Sequence, residues 1–121
     1  MRHAVKTKKF GRTPSHRDAM LKNLAASVIQ HESVRTTEAK AKAVIPLVER
    51  IISVGKKQTL ASGRQVESML PTKLAARKVV EVLAPRFKDR DGGFTTTVRL
   101  PRRPGDNSRM IRVSLLSEES K

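Results

Sequence analysis

From Phe94 to Leu115 the chain alternates twice, on either side of a segment that cannot continue a strand. In an extended chain Phe94, Thr96, Val98 and Leu100 share one face, and Thr95, Thr97 and Arg99 share the other. After the break, Ile111, Val113 and Leu115 can meet the apolar face, leaving Arg112 and Ser114 outside. The break from Pro101 to Arg109 carries a Pro-Gly-Asp-Asn turn signal together with Arg102, Arg103 and Arg109. This pattern predicts a β-hairpin whose connecting loop is strongly basic. Gly92 and Gly93 precede it and read as a tight turn needing positive φ, which also lets backbone approach a phosphate.

The rest of the chain reads mainly as helix. Ser15 with Asp18 stands where a capping box is expected, and Met20, Leu21, Leu24, Ala25 and Val28 recur at helical spacing. They predict a helix over about 15–31, with His16, Asn23, Ser27 and Gln30 on a polar stripe. "SVRTT" is a short strand with Val34 inward, and Thr36 or Thr37 caps the next helix. In that helix Val44, Leu47, Val48, Ile51 and Ile52 form the apolar stripe, Pro46 predicts a kink, and Gly55 a stop. A short helix fits between Leu60 and Met69. Thr72 caps a third main helix with Leu74, Ala75, Val79, Val82 and Leu83 inward, closed by Pro85. The sum is an α+β fold: three main helices on one face of a small sheet of about three strands. Residues 1–14 form an extended basic arm, 15–116 a single domain and 117–121 a polar tail.

Charge decides what such a fold meets. Among 121 residues, 26 are Lys or Arg against 11 acids, a formal net charge of +15. That excess is tolerated when a polyanion neutralises it, and nucleic acid is the leading candidate. A membrane is disfavoured: no apolar run approaches the ~20 residues of a spanning helix, and the interfacial anchors Trp and Tyr are absent. With three Phe as the only aromatics, platforms for stacking bases are scarce, so recognition by phosphate and shape is expected. The basic groups are the arm (Arg2, Lys6, Lys8, Lys9, Arg12), the start of the second helix (Arg35, Lys40, Lys42), and a later set. The later set is Arg86, Lys88, Arg90, Arg99, Arg102, Arg103, Arg109 and Arg112. All but Lys88 are Arg, whose planar fork binds phosphate bidentately. Lys56, Lys57, Lys73, Arg77 and Lys78 are expected to be solvated.

Catalytic chemistry has little to stand on. His3, His16 and His31 are scattered, and His16 does not face Asp18 two residues on. Gly92-Gly93 lacks the Lys-Ser/Thr of a nucleotide-binding loop. The acids are dispersed, so no metal site is proposed, and without cysteine there are no disulfides or thiolate ligands. The basic N-terminus lacks the apolar segment of a secretory signal. No enzyme, cofactor, membrane or small-molecule substrate is expected. The alternative class is a DNA-architectural, histone-like protein, with Pro101 and Pro104 in the loop as a wedge. A nuclease would need clustered acids or a histidine pair that the chain does not supply.

Several segments, in this order and spacing, carry a resemblance: "MRH", "SHRDAMLKNL" at 15–24, "HESVRTTEAKAK" at 31–42, "APRFKDRDGGFT" at 84–95 and "RPGDNSRM" at 103–110. Along nearly its whole length the chain resembles the bacterial-type ribosomal large-subunit protein seventeen family, found also in organelles. The resemblance implies a non-catalytic α+β component of the large subunit, bound to ribosomal RNA and neighbouring proteins near the outer rim of the nascent-peptide exit. It maps RNA contact onto the stretch from Arg2 to Arg12 (with His3), onto Ser15, His16 and Arg17, and onto Arg90 to Phe94. Phe94, Thr95 and Thr96 depart from the family's Gly-Gly-Tyr-Thr-Arg, and Ser114 replaces a common acid. With Asn23 and Asn107 added as polar contacts, these residues and the basic groups, Lys88 and Arg112 apart, make the expected RNA surface. "HRDAMLKNL" and "QHES" resemble fungal mitochondrial forms, so the mitochondrial matrix is preferred over bacterial cytoplasm.

Overall fold

The structure, a computed structural model, describes residues 14–117. All of the expected arm but Pro14, with Arg2, His3, Lys6, Lys8, Lys9 and Arg12, lies outside the described residues, as does all of the polar tail but Ser117. Helix α1 spans Pro14–His31, strand β1 Ser33–Thr37, and helix α2 Glu38–Gly55. Helix α3 (Leu60–Met69) and helix α4 (Lys73–Lys78) follow. A π-helical turn, Val79–Leu83, then leads into the short α5, Ala84–Arg86, before strands β2 (Thr95–Leu100) and β3 (Met110–Leu115). The sheet is antiparallel with order β1-β3-β2, so the last strand is central. Helices α1 and α2 cover one face of it, and α3, α4 and the π turn pack against the far side of the helical layer. The α+β class is as expected.

Local signals explain most boundaries. Thr37 accepts a hydrogen bond from the Lys40 amide at 3.4 Å and caps α2, with Glu38 in the first turn where the helix dipole favours an acid. Thr59 and Ser62 form a reciprocal capping box at α3, both bonds 3.0 Å. Thr72 caps α4 through the Ala75 amide. Helix α1 starts one residue before the expected cap: Pro14 occupies its first turn, and Ser15 and Asp18 lie inside it. Proline is well suited there, because a first-turn amide has no intrahelical acceptor to lose. Pro46 does not break α2, which runs through it with the ring on the exposed side.

The core is one apolar cluster in which Val28, Ile29, Val44, Val48, Ile51, Ile52, Val79, Leu83, Phe94 and Val113 are fully buried. Two expectations fail here in part. In α1 the buried face is Ala25, Ala26, Val28 and Ile29, while Met20, Leu21 and Leu24 are not fully buried. In the third main helix Leu74 and Val82 point to solvent, 70% and 44% exposed. The cause at Val82 is the π turn, in which the Ala84 amide reaches back to the Val79 carbonyl and the wider turn rotates the face. The same widening carries the chain through Pro85, whose missing amide would otherwise interrupt the helix.

The face of β2 is also reversed, while Ile111, Val113 and Leu115 of β3 look inward as expected. Register pairs Thr95 with Leu115, Thr97 with Val113 and Arg99 with Ile111, so these stand on the helix-covered face. Thr95 Oγ1 accordingly donates to Glu49 of α2 at 3.2 Å. Thr96, Val98 and Leu100 look the other way, and Val98 is 53% exposed. Phe94 lies before the strand and is fully buried, its ring 5.1 Å from that of Phe87. Burying that ring, worth about 2–3 kcal/mol, sets Phe94 and Thr95 both inward and shifts the alternation of β2 by one residue, which turns the later side chains of that strand over.

Candidate nucleic-acid interface

Two parts of the chain meet at the start of α2. The Glu38 amide donates to the Arg109 carbonyl at 3.0 Å, which pins the root of the hairpin loop to the helix N-terminus. Around the Glu38 carboxylate stand Lys42 Nζ at 3.3 Å and Arg109 Nη1 at 3.8 Å, with Arg99 close enough to act on it. Lys42, first through its hydrogen bond, and then the two arginines hold the carboxyl below its ordinary value. One acid among these cations leaves the site positive. Two adjoining concavities, of about 420 and 200 Å³, open here. Glu38 and Arg109 line both, joined by Lys42 in the first and by Arg99 and Arg102 in the second.

The loop is folded on itself. Arg103 forms a fork with Asp106 at 3.2 and 2.6 Å, which holds the Asp106 carboxyl far below the usual range. Asn107 has φ 56° and Gly105 φ 101°, the left-handed positions of this turn. The Asn107 carbonyl accepts from Arg102 Nη1 at 3.2 Å. Asn107 therefore shapes the turn, and much of the Arg103 charge is answered locally. Arg99, Arg102 and Arg109 are exposed.

Other expected residues are placed apart from this cluster. Ser15, His16 and Asn23 lie on α1, with Ser15 and Asn23 exposed. Arg17 is mostly covered, 16% exposed in its side chain, with Nε 3.9 Å from Asp18 and no hydrogen-bond partner for that atom among the described residues. Lys40 is half-buried beside the α2 cap. Arg35 is exposed on the open face of the sheet, and Arg112 stands opposite it. Gly93 has φ 65°, as the tight turn requires, and Gly92 has open space around it. Arg86 is not at the surface in the sense expected. Its guanidinium bonds both oxygens of Glu32, at 2.5 and 3.2 Å, and is only 13% exposed.

Two lysines expected to be solvated are structural. Lys78 Nζ reaches Glu32 Oε2 and the Gln30 carbonyl, both at 3.0 Å. Lys56 donates to the Arg90 carbonyl and lies 5.2 Å from the Phe94 ring centroid, which fixes the segment before the glycine turn. Both partnerships span distant parts of the chain, and no local pattern marks them. Among the described residues there is no group of three or more His, Cys, Asp or Glu able to hold a metal, and no helix long and apolar enough to cross a membrane.

The family model described as ribosomal protein L17 matches residues 20–116. The chain belongs to that family. A large ribosomal subunit protein bL17 of Hydrogenobaculum sp. (strain Y04AAS1) is 50% identical over 111 residues, 91% of this chain and 94% of the relative. The bL17 of Petrotoga mobilis is 43% identical over 127 residues, covering 98% and 99% of the two chains. That of Hyphomonas neptunium is 42% identical over 119 residues, covering 98% and 85%. These relatives are bacterial, and the mitochondrial preference finds no counterpart among them.

Proposed function

We propose that the protein is a structural constituent of the large ribosomal subunit, seated on ribosomal RNA by the positive site where the hairpin loop joins α2. Family membership over residues 20–116 carries the ribosomal part of this reading. The gathering of Lys42, Arg99, Arg102 and Arg109 round one carboxylate supports the RNA part. The start of α1, and the basic segment that precedes it in sequence, supply further cations. The protein's work is scaffolding: fixed guanidinium groups neutralise phosphates, so RNA segments that repel one another can pack closely. Without aromatic platforms, the protein reads backbone and shape. Arg86 and Lys78 are left out of the surface because Glu32 already holds them.

Nothing favours the DNA-architectural alternative. The loop tip closes through the Arg103–Asp106 fork and presents a polar turn, where a kinking protein presents an apolar wedge. Bacterial relatives favour a bacterial ribosome as the location.

The experiment is the salt dependence of binding to deproteinised large-subunit RNA. Arg102→Ala and Arg109→Ala should each weaken binding and reduce the log–log salt slope by about 0.7 to 0.9 for every phosphate the variant no longer neutralises. Arg103→Ala should do less, since Asp106 already shares its charge. Unchanged slopes for Arg102 and Arg109 would assign this site to a protein neighbour or to solvent.

A further inference from the structure

The sheet face turned away from the helices carries an arrangement that the fold alone disfavours. Arg35 of β1 and Arg112 of β3 are direct cross-strand partners, and Val98 of β2 continues the row. Like charges placed directly opposite destabilise an antiparallel pair. Both arginines are exposed, and neither has an ion-pair or hydrogen-bond partner for its side chain among the described residues. The adjacent row is Ser33, Ser114 and Thr96, with Ser114 Oγ 3.2 Å from Ser33 Oγ. Neither row contains an acid. A row of guanidinium groups beside a row of hydroxyls, on an open sheet surface, is complementary to a phosphate backbone and its sugars.

We propose that this open face is a second RNA-backbone contact, with Arg35 and Arg112 gripping backbone phosphate and the Ser33–Ser114–Thr96 row meeting adjacent 2′-hydroxyls. The proposal rests on the RNA-binding reading but concerns a surface that the hairpin-loop site does not include. Charge selects the occupant: two cations unanswered among the described residues fit a polyanion, and the hydroxyl row suits the wide, shallow minor groove of A-form RNA, where 2′-hydroxyls are displayed. An apolar protein neighbour would leave two guanidinium groups desolvated and unpaired. Phosphate bound between them relieves the mutual repulsion of Arg35 and Arg112.

The test pairs binding with stability. Arg35→Gln, Arg112→Gln and the double variant are titrated with deproteinised large-subunit RNA and with a short A-form RNA duplex over a range of salt, and each variant is melted alone. The double variant is expected to lose at least about 0.7 from the salt slope on both probes. Its Tm should equal or exceed that of the parent, because the repulsion is gone, so weaker binding could not be ascribed to unfolding. A parental slope in the double variant overturns this proposal while leaving the hairpin-loop reading intact. A parental slope combined with failure to enter reassembled large subunits would assign the face to an acidic protein, and also overturns it. A parent that binds neither RNA removes the RNA-binding reading and this proposal together.

Discussion

Glu32 serves both the backbone and the electrostatics of the fold. It follows the last residue of α1 in the left-handed conformation, φ 62°, where a side chain is strained. Its carbonyl accepts from the Leu115 amide at 2.9 Å, tying helix end to sheet. The carboxylate is held by Arg86 and then Lys78, which bring its pKa from 4.5 to about 2 against the opposing effect of burial. A depressed carboxyl stabilises the fold fully above its unfolded value. That contribution is lost as pH falls from about 4.5 to about 2. Glu32→Gln should therefore flatten the acid limb of the stability curve in that window. At neutral pH it should cost about 1–2 kcal/mol, less than a fully buried pair because Glu32 is a third exposed and solvent screens it. Urea denaturation across pH reads both effects. At Gly55 an added Cβ would lie 2.6 Å from Val79 Cγ1 at the π turn. Gly55→Ala should lower stability by about 1–3 kcal/mol through overpacking, whereas a neutral or stabilising result would mean that α2 and the π turn can move apart.

At the level of elements, the caps at Thr37 and Thr72 are legible in the sequence, the box expected at Ser15 lies inside α1, and faces are less legible. Thr37, Thr59 and Thr72 lie just before their helices because a hydroxyl there answers an amide only three residues away, and such short-range chemistry is written locally. Thr59→Ala removes one half of the α3 capping box and should destabilise by about 1 kcal/mol, with faster hydrogen exchange at the Ser62 amide as the local signature. The hairpin lies where alternation places it, with β3 in the expected phase and β2 in the opposite one. Alternation gives period and not phase, and the phase is set by Phe94 packing on Phe87 in the core. Val82 departs from its expected face for a similar reason: helical periodicity assumes a constant turn, and the chain widens it before Pro85. In the candidate site, residue type is readable and commitment is not. Arg86 and Arg103 look like Arg99 and Arg102 in sequence, yet Glu32 and Asp106 engage the first two. Arg103 with Asp106 is local, spaced by three residues, and carries a signal in the sequence; Arg86 with Glu32 spans the chain and carries none.

The whole molecule has a small core under a net charge of +15. Self-repulsion at that level lowers the stability of the free protein, and both screening and a bound polyanion relieve it. The Tm of the free protein should rise with moderate salt, and rise further with large-subunit RNA at low salt, where binding to the native state adds its own stabilisation. A Tm indifferent to both would show that the charge is already balanced within the chain. The protein works as a fixed part of the large ribosomal subunit. The most direct test is sedimentation of a lysate from the source cell, probed for this chain across the gradient in moderate salt. The chain should travel with large subunits and intact ribosomes; a chain found with free protein or with chromatin would not be a ribosomal part.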